Sequence, residues 1–331
     1  MLAALRKRAN GSDLLSFETF MEVALYAPAI GYYRRPKTRV AYADTADFYT
    51  NSSLRSVFAP LVKAAAIALL PEGSAPGEYT FVEFGSEPGQ PLLADPAPFL
   101  ACATRDLAAD SDTPLPARSV VFSNELFDAQ PFRRFRMTPA GWREIGVRIA
   151  EDRLCEVALE PQEAGKPLPD ALPAQAPEGY TVDWPEAAGN LLQSICDQNW
   201  EGLFIAFDYG LDEETLLHER PGGTARAYSR HRQHNDLLAS PGKQDLTCHV
   251  NWTRLAEALN KRSFQAVSLR RQEAFFMQHA AAAISQIVEK ADPGVDRDRQ
   301  RLKELLHPHY FGSRFQVLHG YRPGRHCPAG Q

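Results

Sequence analysis

The chain has 331 residues, of which 44% are hydrophobic and 23% charged, and its formal net charge is -5 at pH 7. This length and composition are those of a globular protein with one large α/β domain and an appended subdomain, or with two domains. The acidic balance gives no general attraction for nucleic-acid backbones, and we find no apolar stretch near the roughly 20 residues that span a membrane.

The cysteines are scattered, and none belongs to a CxxC pair: Cys102, Cys155, Cys196, Cys248 and Cys327. An odd number of isolated cysteines is typical of a reduced setting and indicates neither a disulfide framework nor a zinc site. The basic N-terminal stretch MLAALRKRANGS has too little apolar core for a secretory signal, although it could pass for part of a transit peptide. We therefore expect a cytoplasmic protein without a metal site.

Residues 1–78 predict an N-terminal helical segment. Ser16 suits an N-cap, and apolar residues then recur at helical spacing up to Pro28. A second apolar helix is predicted over 57–70. Between the two helices lies a polar and aromatic loop, whose DFYTN stretch at 47–51 is suited to capping the second helix.

Continuous apolar runs along the rest of the chain predict the strands of a buried parallel sheet. These runs lie at 79–84, 119–123 and 202–208. A short strand is predicted at 264–269, and a last strand, at 315–319, closes the sheet. A β-hairpin with a third strand is predicted at 132–137, 142–150 and 154–159, and helices are predicted at 187–196, 252–260, 272–290 and 297–306. Residues 161–185 are rich in proline, alanine and glycine, as in a surface loop. Strands that alternate with helices indicate a doubly wound α/β sheet.

The span between the first two predicted strands is short. Residues 85–118 are rich in proline, and only one helix, 99–109, is predicted there. Because parallel strands need crossovers of a dozen or more residues, this span holds one crossover and at most one further strand.

The first candidate site follows the first predicted strand, in FVEFGSEPGQP. Glu83 ends the strand, and Gly85 and Gly89 follow it. Glycines there let the backbone approach a ligand, and the N-terminus of a following helix offers N–H groups to a carboxylate or phosphate. Two glycines after a strand are more often an ordinary turn. Glu87 and Pro88 stand where a cofactor loop favours small residues.

The second candidate site follows the next strand, in SNELFDAQP. Asn124 and Glu125 come at the end of the strand, and Asp128 follows three residues later. Ligands of such sheets bind outside the carboxyl ends of the strands, so these groups could orient a guanidinium or amine, or accept its proton. The alternative is a helix cap with a solvated acid.

Two later segments are polar, aromatic and bear histidines, at 223–232 and 241–250. We interpret them as a lid over the edge of the sheet. His231 and His249 lack the spacing of zinc ligands, which favours structural, hydrogen-bonded histidines.

Taken together, these stretches resemble the MidA family of S-adenosylmethionine-dependent methyltransferases, whose mitochondrial members are complex I assembly factors. The resemblance covers most of the chain and runs in the same order through FETFMEVALYAPAIGYY, DFYTNSSLRSVFAPLV, FVEFGSEPG, SNELFDAQPFRRF, AFDYG, GTARAYSRHR, PGKQDLTCHVNWTRL and FGSRFQVL.

The resemblance implies a Rossmann-like class I methyltransferase sheet, S-adenosylmethionine as cofactor and a protein arginine as substrate. It places Glu83, Gly85 and Gly89 on the donor loop, together with Asp47 of the DFYT stretch as a further cofactor-binding residue. It assigns the catalytic segment to three residues: Asn124, Glu125 and Asp128.

The sequence departs from the family pattern in two places. Glu87 replaces the middle glycine of the donor loop, where its charge would lie near the carboxylate of the donor. The span 85–119 is too short for the second and third strands that the family has there, so we expect a sheet missing one or two strands. The family's ribose-binding acid is not evident in this span; Asp95 and Asp106 could replace it only by an unusual path.

Two functions therefore stay open. The first is a methyltransferase that acts on a protein side chain, with Glu125 and Asp128 orienting the guanidinium. The second is an inactive relative that serves as an assembly or binding protein. A nucleic-acid substrate is not expected, whereas a homo-oligomer is compatible with the sequence.

We accordingly predict three parts of the chain. They are the helical segment 1–78, a methyltransferase core over 79–210 plus 262–325, and a lid over 211–261, with the helices of 272–306 forming a helical subdomain.

Overall fold

The structure is a computed structural model that describes residues 1–35, 51–107, 110, 113–229, 232–289 and 295–324. It divides into two compact units. Unit 1 comprises Met1–Phe48, Phe127–Leu191 and Leu211–Thr253, and unit 2 comprises Tyr49–Leu126, Leu192–Gly210 and Arg254–Gln331.

The α-helices of the described residues, in chain order, are α1 (Leu2–Ala9), α2 (Phe17–Tyr26), α3 (Arg55–Leu69), α4 (Pro161–Ala164), α5 (Glu186–Asp197), α6 (Glu213–His218), α7 (Trp252–Lys261), α8 (Gln272–His279), α9 (Ala281–Glu289) and α10 (Val295–Leu306). The strands are β1 (Leu14–Ser16), β2 (Thr80–Phe84), β3 (Ala101–Arg105), β4 (Arg118–Asn124), β5 (Arg133–Thr138), β6 (Gly141–Ala150), β7 (Arg153–Ala158), β8 (Thr181–Trp184), β9 (Glu201–Asp208), β10 (Gly210–Leu211), β11 (Arg226–Ser229), β12 (Arg232–His234), β13 (Asp245–Thr247), β14 (Val250–Asn251), β15 (Gln265–Arg271) and β16 (Gln316–Arg322).

Unit 2 is built on a six-stranded sheet in the order β15-β16-β9-β4-β2-β3. The strands from β3 to β9 are parallel, and β16 and β15 are antiparallel additions at the other edge. The residues of β2 are buried throughout, as are those of β9 after its first residue. Burial on both faces explains why these strands are continuous apolar runs, and the predicted α/β sheet is confirmed.

The predicted helix over 99–109 is wrong. Residues Ala101–Arg105 instead form β3, which pairs in parallel with β2 from Thr80↔Ala101 to Phe84↔Arg105. Alanine favours a helix locally, but pairing with a buried strand outweighs that preference. Of the second and third strands that the family resemblance implies, one is therefore present as β3. The other is absent from the described residues.

The crossover from β2 to β3 contains no α-helix in residues 85–100, all of which the structure describes. The expected helix after the glycine turn is therefore absent. Pro88, Pro91, Pro96 and Pro98 account for this, because proline lacks the N–H group of a helical ladder.

One hydrophobic core joins the sheet of unit 2 to helices α3, α8 and α10. Phe58 of α3 contacts Phe207 of β9 and Phe276 of α8, with ring centroids 5.3 Å and 6.0 Å apart. The helices of 272–306 thus share the core of the sheet rather than forming a subdomain of their own. The predicted helix 272–290 is interrupted at Ala280, whose φ of −132° leaves the helical range.

Contrary to the expectation that no apolar stretch is long enough to span a membrane, the helical stretch Asn51–Leu69 is long and apolar enough by length and composition alone. Its Val57, Phe58, Leu61 and Val62 are fully buried in the core of unit 2. Packing against the sheet therefore accounts for its apolar composition.

Unit 1 contains a sheet in the order β1-β6-β5-β8, with β7 paired to β6. The predicted N-cap of α2 is confirmed, because the Ser16 hydroxyl accepts a hydrogen bond from the Thr19 N–H at 3.1 Å. Strand β8 lies within the predicted surface loop 161–185 and pairs with β5.

The two units do not follow the predicted domain boundaries. Residues 127–191, predicted within the methyltransferase core, belong to unit 1 together with α1 and α2. Residues 211–253, predicted as a lid, also belong to unit 1, where they include the three-stranded sheet β12-β11-β13. Their function as a lid stays a prediction.

We expect His319 of β16 to make the stability of unit 2 dependent on pH. Its ring is 5% exposed and lies 5.5 Å from the rings of Phe275 and His279. Burial, with smaller contributions from His279 and Arg270, lowers the pKa of His319 to about 4. Since the unfolded histidine binds its proton near its ordinary pKa, the free energy of unfolding should fall as the pH drops from about 6.5 to about 4, by about 3 kcal/mol.

Denaturant unfolding across this pH range checks the effect. In the variant His319→Phe, the part of the pH dependence that comes from His319 should disappear, because phenylalanine has no group that binds a proton. An unchanged pH dependence in this variant would contradict the assignment.

Candidate functional site

The parallel register of unit 2 aligns the carboxyl ends of three neighbouring strands. Phe84 of β2 lies opposite Ser123 of β4, and Asn124 of β4 lies opposite Phe207 of β9. The next residues, Gly85 and Asp208, therefore lie at the same edge of the sheet as Asn124. This edge is where parallel α/β sheets bind their ligands.

Gly85 makes the turn at the end of β2. Its φ is +75°, and a Cβ atom there would lie 2.7 Å from Cδ1 of Leu126. A side chain would thus be strained and crowded, so this position requires glycine. Gly89 also has a positive φ, +72°, but a Cβ there would meet no atom within 4 Å. Gly89 therefore leaves open space beside the turn.

Glu83 holds the glycine loop in place through a hydrogen bond with the main chain of Leu92. Its side chain is 9% exposed, and Oε2 accepts a hydrogen bond from the Leu92 N–H at 2.6 Å. Arg55 donates to the Leu92 carbonyl at 3.0 Å, so both polar groups of that peptide are held. Burial raises the pKa of Glu83 to about 7, against the opposing effects of the Leu92 N–H and Arg55.

Glu87, the residue that departs from the family pattern, lies in the turn of this loop. Its carbonyl accepts a hydrogen bond from the Gln90 N–H at 2.9 Å, and its side chain is half-buried.

Asp106 is a candidate site residue that follows a strand instead of lying in the predicted helix 99–109. It directly follows β3, and Gly85 donates its N–H to the carbonyl of Arg105 at 3.3 Å. Asp106 therefore lies at the carboxyl end of the strand next to β2, about 20 residues beyond Gly85, as the ribose-binding acid of dinucleotide folds does. The helix assigned to 99–109 concealed this position.

Glu125 has an unusual backbone conformation, with φ of +51°. Its N–H donates to the Phe207 carbonyl at 2.9 Å, and the Leu126 N–H donates to Oδ2 of Asp208 at 3.2 Å. Asp208 is fully buried, and these bonds hold the residue in the left-handed region. Strained residues of this kind concentrate at functional sites.

Asn124 orients the side chain of Glu125. Its Nδ2 donates to Oε1 of Glu125 at 2.9 Å. The carboxylate is only partly buried, and it follows a strand that is buried from Ser119 to Ser123. Gly85, Asn124 and Glu125 are thus brought together at one edge of the sheet.

Asp128 belongs to unit 1, whereas Glu125 belongs to unit 2. Asp128 is 6% exposed, and its carbonyl accepts a hydrogen bond from the Cys248 N–H at 2.9 Å. Nearby, Tyr33 donates its hydroxyl to Oδ1 of Asp245 at 2.8 Å. Burial, followed by the charge of Asp245, raises the pKa of Tyr33, so this phenol stays protonated and remains a donor.

Asp47, the remaining predicted cofactor-binding residue, and His231 lie outside the described residues. The main-chain N–H of His249 donates to the Thr224 hydroxyl at 3.1 Å. In the ring of His249, Nδ1 bonds to no described residue. The prediction of a hydrogen-bonded structural histidine therefore stays a prediction for that atom. Burial lowers the pKa of His249 to about 4, so its ring is neutral at neutral pH.

The arrangement in unit 2 has the parts of a cofactor site and of a cation site. A glycine turn and an acid at the ends of β2 and β3 suit a nucleoside with hydroxyl groups. A carboxylate held by an amide at the end of β4 suits a guanidinium or amine. Across residues 1–35, 51–107, 110, 113–229, 232–289 and 295–324, no cluster of three histidine, cysteine or acidic side chains could hold a metal ion.

Comparison with protein families identifies one whose sequence model matches residues 104–270, half of the chain. The family is described as "Putative S-adenosyl-L-methionine-dependent methyltransferase".

Two curated relatives carry the name protein arginine methyltransferase NDUFAF7, mitochondrial, or its homolog. The rat protein (Rattus norvegicus) is 26% identical over 63% of this chain and 49% of its own length. The fruit-fly homolog (Drosophila melanogaster) is 22% identical over 95% of this chain and 83% of its own length. The chain thus spans about half the length of the rat relative.

Two crystal structures from Burkholderia thailandensis share the fold. One, described as a "likely methyl transferase" bound to S-adenosyl-homocysteine, has a TM-score of 0.80 and 26% identity, over 97% of this chain and 91% of that chain. The other, a native structure, has a TM-score of 0.76 and 25% identity with the same coverage.

Proposed function

This chain belongs to the S-adenosyl-L-methionine-dependent methyltransferase family, and on that premise we propose that it binds S-adenosylmethionine and methylates an arginine side chain of a protein. The observation that carries the proposal is the edge of the unit 2 sheet, where a glycine turn, an acid after β3 and a held carboxylate after β4 follow neighbouring strands. The Burkholderia relative with S-adenosyl-homocysteine bound supports the choice of cofactor.

In this proposal, the turn at Gly85 and Gly89 admits the donor, and Asp106 binds its ribose hydroxyls. Glu83 supports the loop by accepting a hydrogen bond from the Leu92 N–H, and it remains a proposed donor-site residue. Asp47 remains a proposed donor-site residue. S-adenosylmethionine supplies an electrophilic methyl group when bound, and the protein has to place the acceptor nitrogen in line with it.

The acceptor is proposed to be arginine because Glu125 offers a carboxylate whose orientation is set by Asn124. A guanidinium stays protonated at neutral pH and matches a carboxylate with paired N–H donors. Glu125 would position this group and balance its charge. Asp128, the other predicted catalytic acid, belongs to unit 1, and its role stays a prediction. The rat and fruit-fly relatives, both named protein arginine methyltransferases, support this substrate class.

Calorimetric titration with S-adenosyl-homocysteine tests the donor site. We expect saturable binding by the unmodified protein and about tenfold weaker binding by Asp106→Asn, because about 1.4 kcal/mol of charge-assisted hydrogen bonding is lost. Asp95→Asn is the matched control, since Asp95 is an exposed acid on the same crossover. Equal losses in the two variants would contradict the assignment of Asp106, and no binding by the unmodified protein would contradict the proposed function.

A second candidate function is a non-catalytic assembly or binding protein. It is favoured by the loop after β2, where Glu87 occupies the turn and no helix follows in residues 85–100. Under this alternative, Glu87→Gly would raise a weak donor affinity, by about tenfold for each 1.4 kcal/mol of relieved repulsion. Micromolar affinity in the unmodified protein, unchanged by Glu87→Gly, would eliminate this candidate.

The partner is proposed to be a protein, with no nucleic acid involved, and the location is proposed to be the cytoplasm. The described cysteines are all free, which supports a reduced compartment. Fractionation of cells that express the chain at its natural level tests the location.

A further inference from the structure

A chain of side-chain amides leads from the helices of unit 2 to Glu125. Gln272, at the start of α8, and Asn51 are both fully buried. Nδ2 of Asn51 donates to Oε1 of Gln272 at 2.8 Å and to Oδ1 of Asn124 at 3.1 Å. Asn124 in turn donates to Glu125.

We propose that Asn51 and Gln272 are positioning residues for Glu125, which act through Asn124 to fix the direction of its carboxylate. The inference rests on the proposed function, in which Glu125 meets the substrate guanidinium. Asn51 and Gln272 lie 221 positions apart in the chain, so no sequence pattern connects them.

The hydrogen bond between Gln272 and Leu305 determines the direction of the other hydrogen bonds in the chain of amides. The carbonyl of Leu305, in the last turn of α10, can only accept, and Nε2 of Gln272 donates to it at 2.9 Å. The amide oxygen of Gln272 must therefore face Asn51. Nε2 of Gln272 also donates to Oδ1 of Asn51 at 3.2 Å, so the two amides are paired reciprocally.

This pairing determines the orientation of the next amide. Asn51 has two N–H groups on its side chain, and both are used, one on Gln272 and one on Asn124. The oxygen of Asn124 must then face Asn51, which turns its NH₂ group toward Glu125. The carboxylate of Glu125 accepts hydrogen bonds but has none to donate, so it is a suitable acceptor for the NH₂ group of Asn124.

The chain of amides is held by the main chain of Gln272 as well as by side chains. The main-chain N–H of Gln272 donates to the Phe315 carbonyl at 3.0 Å, which holds α8 against the start of β16. Buried networks are rigid when every member is bonded and costly when one bond is lost. A carboxylate held by such a network keeps its position, and a displacement of about 1 Å at a reacting centre can reduce the rate about 100-fold.

The test compares two variants with a matched control. Asn51→Asp keeps the shape but replaces two donors by acceptors, which would turn the Asn124 oxygen toward Glu125. Gln272→Met removes the reciprocal pair with little change in volume. The control is Ser119→Ala, which removes a buried hydrogen bond, to the Pro116 carbonyl at 2.8 Å, at the opposite end of β4.

Methyl transfer to an arginine peptide is measured at a temperature at which every variant is folded. We expect kcat to fall about 100-fold in Asn51→Asp and at least about tenfold in Gln272→Met, with the dissociation constant for S-adenosyl-homocysteine within about twofold of that of the unmodified protein. Ser119→Ala should keep kcat while losing stability. Values of kcat in both amide variants equal to that of the control would overturn the proposal.

Side-chain amide resonances of Asn124 give a second measurement that does not depend on activity. They should shift in Asn51→Asp and in Glu125→Gln, and stay in place in Ser119→Ala. If the unmodified protein transfers no methyl group, the proposed function fails. These resonances then test by themselves whether Asn51 orients the side chain of Asn124. An Asn124 amide that is unaffected by Asn51→Asp would then overturn it.

Discussion

Replacing Asp183 by alanine is expected to lower the free energy of unfolding by about 3–5 kcal/mol. Asp183 is 1% exposed, and Oδ1 accepts a hydrogen bond from Nε of Arg134 at 2.8 Å. Its Oδ2 accepts from the N–H groups of Thr224 and Ala225, both at 2.8 Å. The substitution leaves a buried guanidinium with less compensation and two buried N–H groups without an acceptor. Unfolding in guanidinium chloride, followed by circular dichroism, measures the loss.

The matched control is Glu156→Gln. Glu156 also bonds to Arg134, at 2.7 Å, but its side chain is 24% exposed and Asp183 remains in place. We expect a loss of about 1 kcal/mol or less for this partly exposed pair. Equal losses for Asp183→Ala and Glu156→Gln would show that burial does not determine the contribution of Asp183.

Replacing Glu125 by glutamine is expected to reduce kcat about 100-fold or more, with a change in stability below about 1 kcal/mol. Glutamine keeps the shape, and its amide oxygen can still accept the hydrogen bond from Asn124. It lacks the charge that orients and balances a guanidinium, so the loss should fall on methyl transfer. Single-turnover assays with bound donor separate this step from donor binding.

Glu201→Gln is the control for this experiment, because it removes a partly buried acid at the start of β9, at the opposite end of the sheet from Glu125. We expect kcat in this variant to stay within about threefold of that of the unmodified protein. If Glu125→Gln instead loses stability in proportion to activity, Glu125 is a structural cap of the turn after β4.

The strands of the unit 2 sheet were predictable where each of them is buried on both faces. β2, β4 and β9 are largely apolar runs, which are typical of a parallel sheet covered on both faces. The glycine turn and the polar residues after β4 were predictable for the same reason, because ligands bind at the ends of such strands. The N-cap at Ser16 is equally local, since the hydroxyl bonds within the first turn of its own helix.

The strands β3 and β8 were not predictable, because each is determined by its partner. β3 has a helix-forming composition and becomes a strand only by pairing with β2. β8 is four residues long in a proline-rich stretch and is held by β5 and by the bond between Asp183 and Arg134. The misassignment of β3 also concealed Asp106, whose position depends on the end of that strand.

By itself, the sequence determined the α/β class, the family resemblance and the two segments, after β2 and β4, that contain the candidate site. These features depend on apolar periodicity, turn residues and motifs, all of which act over a few neighbouring positions. Only the tertiary structure decided that Asp106 lies beside Gly85, that Glu83 closes the loop through Leu92, and that Asn51 and Gln272 lead to Glu125. Such contacts join residues far apart in the chain, and they form because buried polar groups must find partners wherever the packing of the core brings them together.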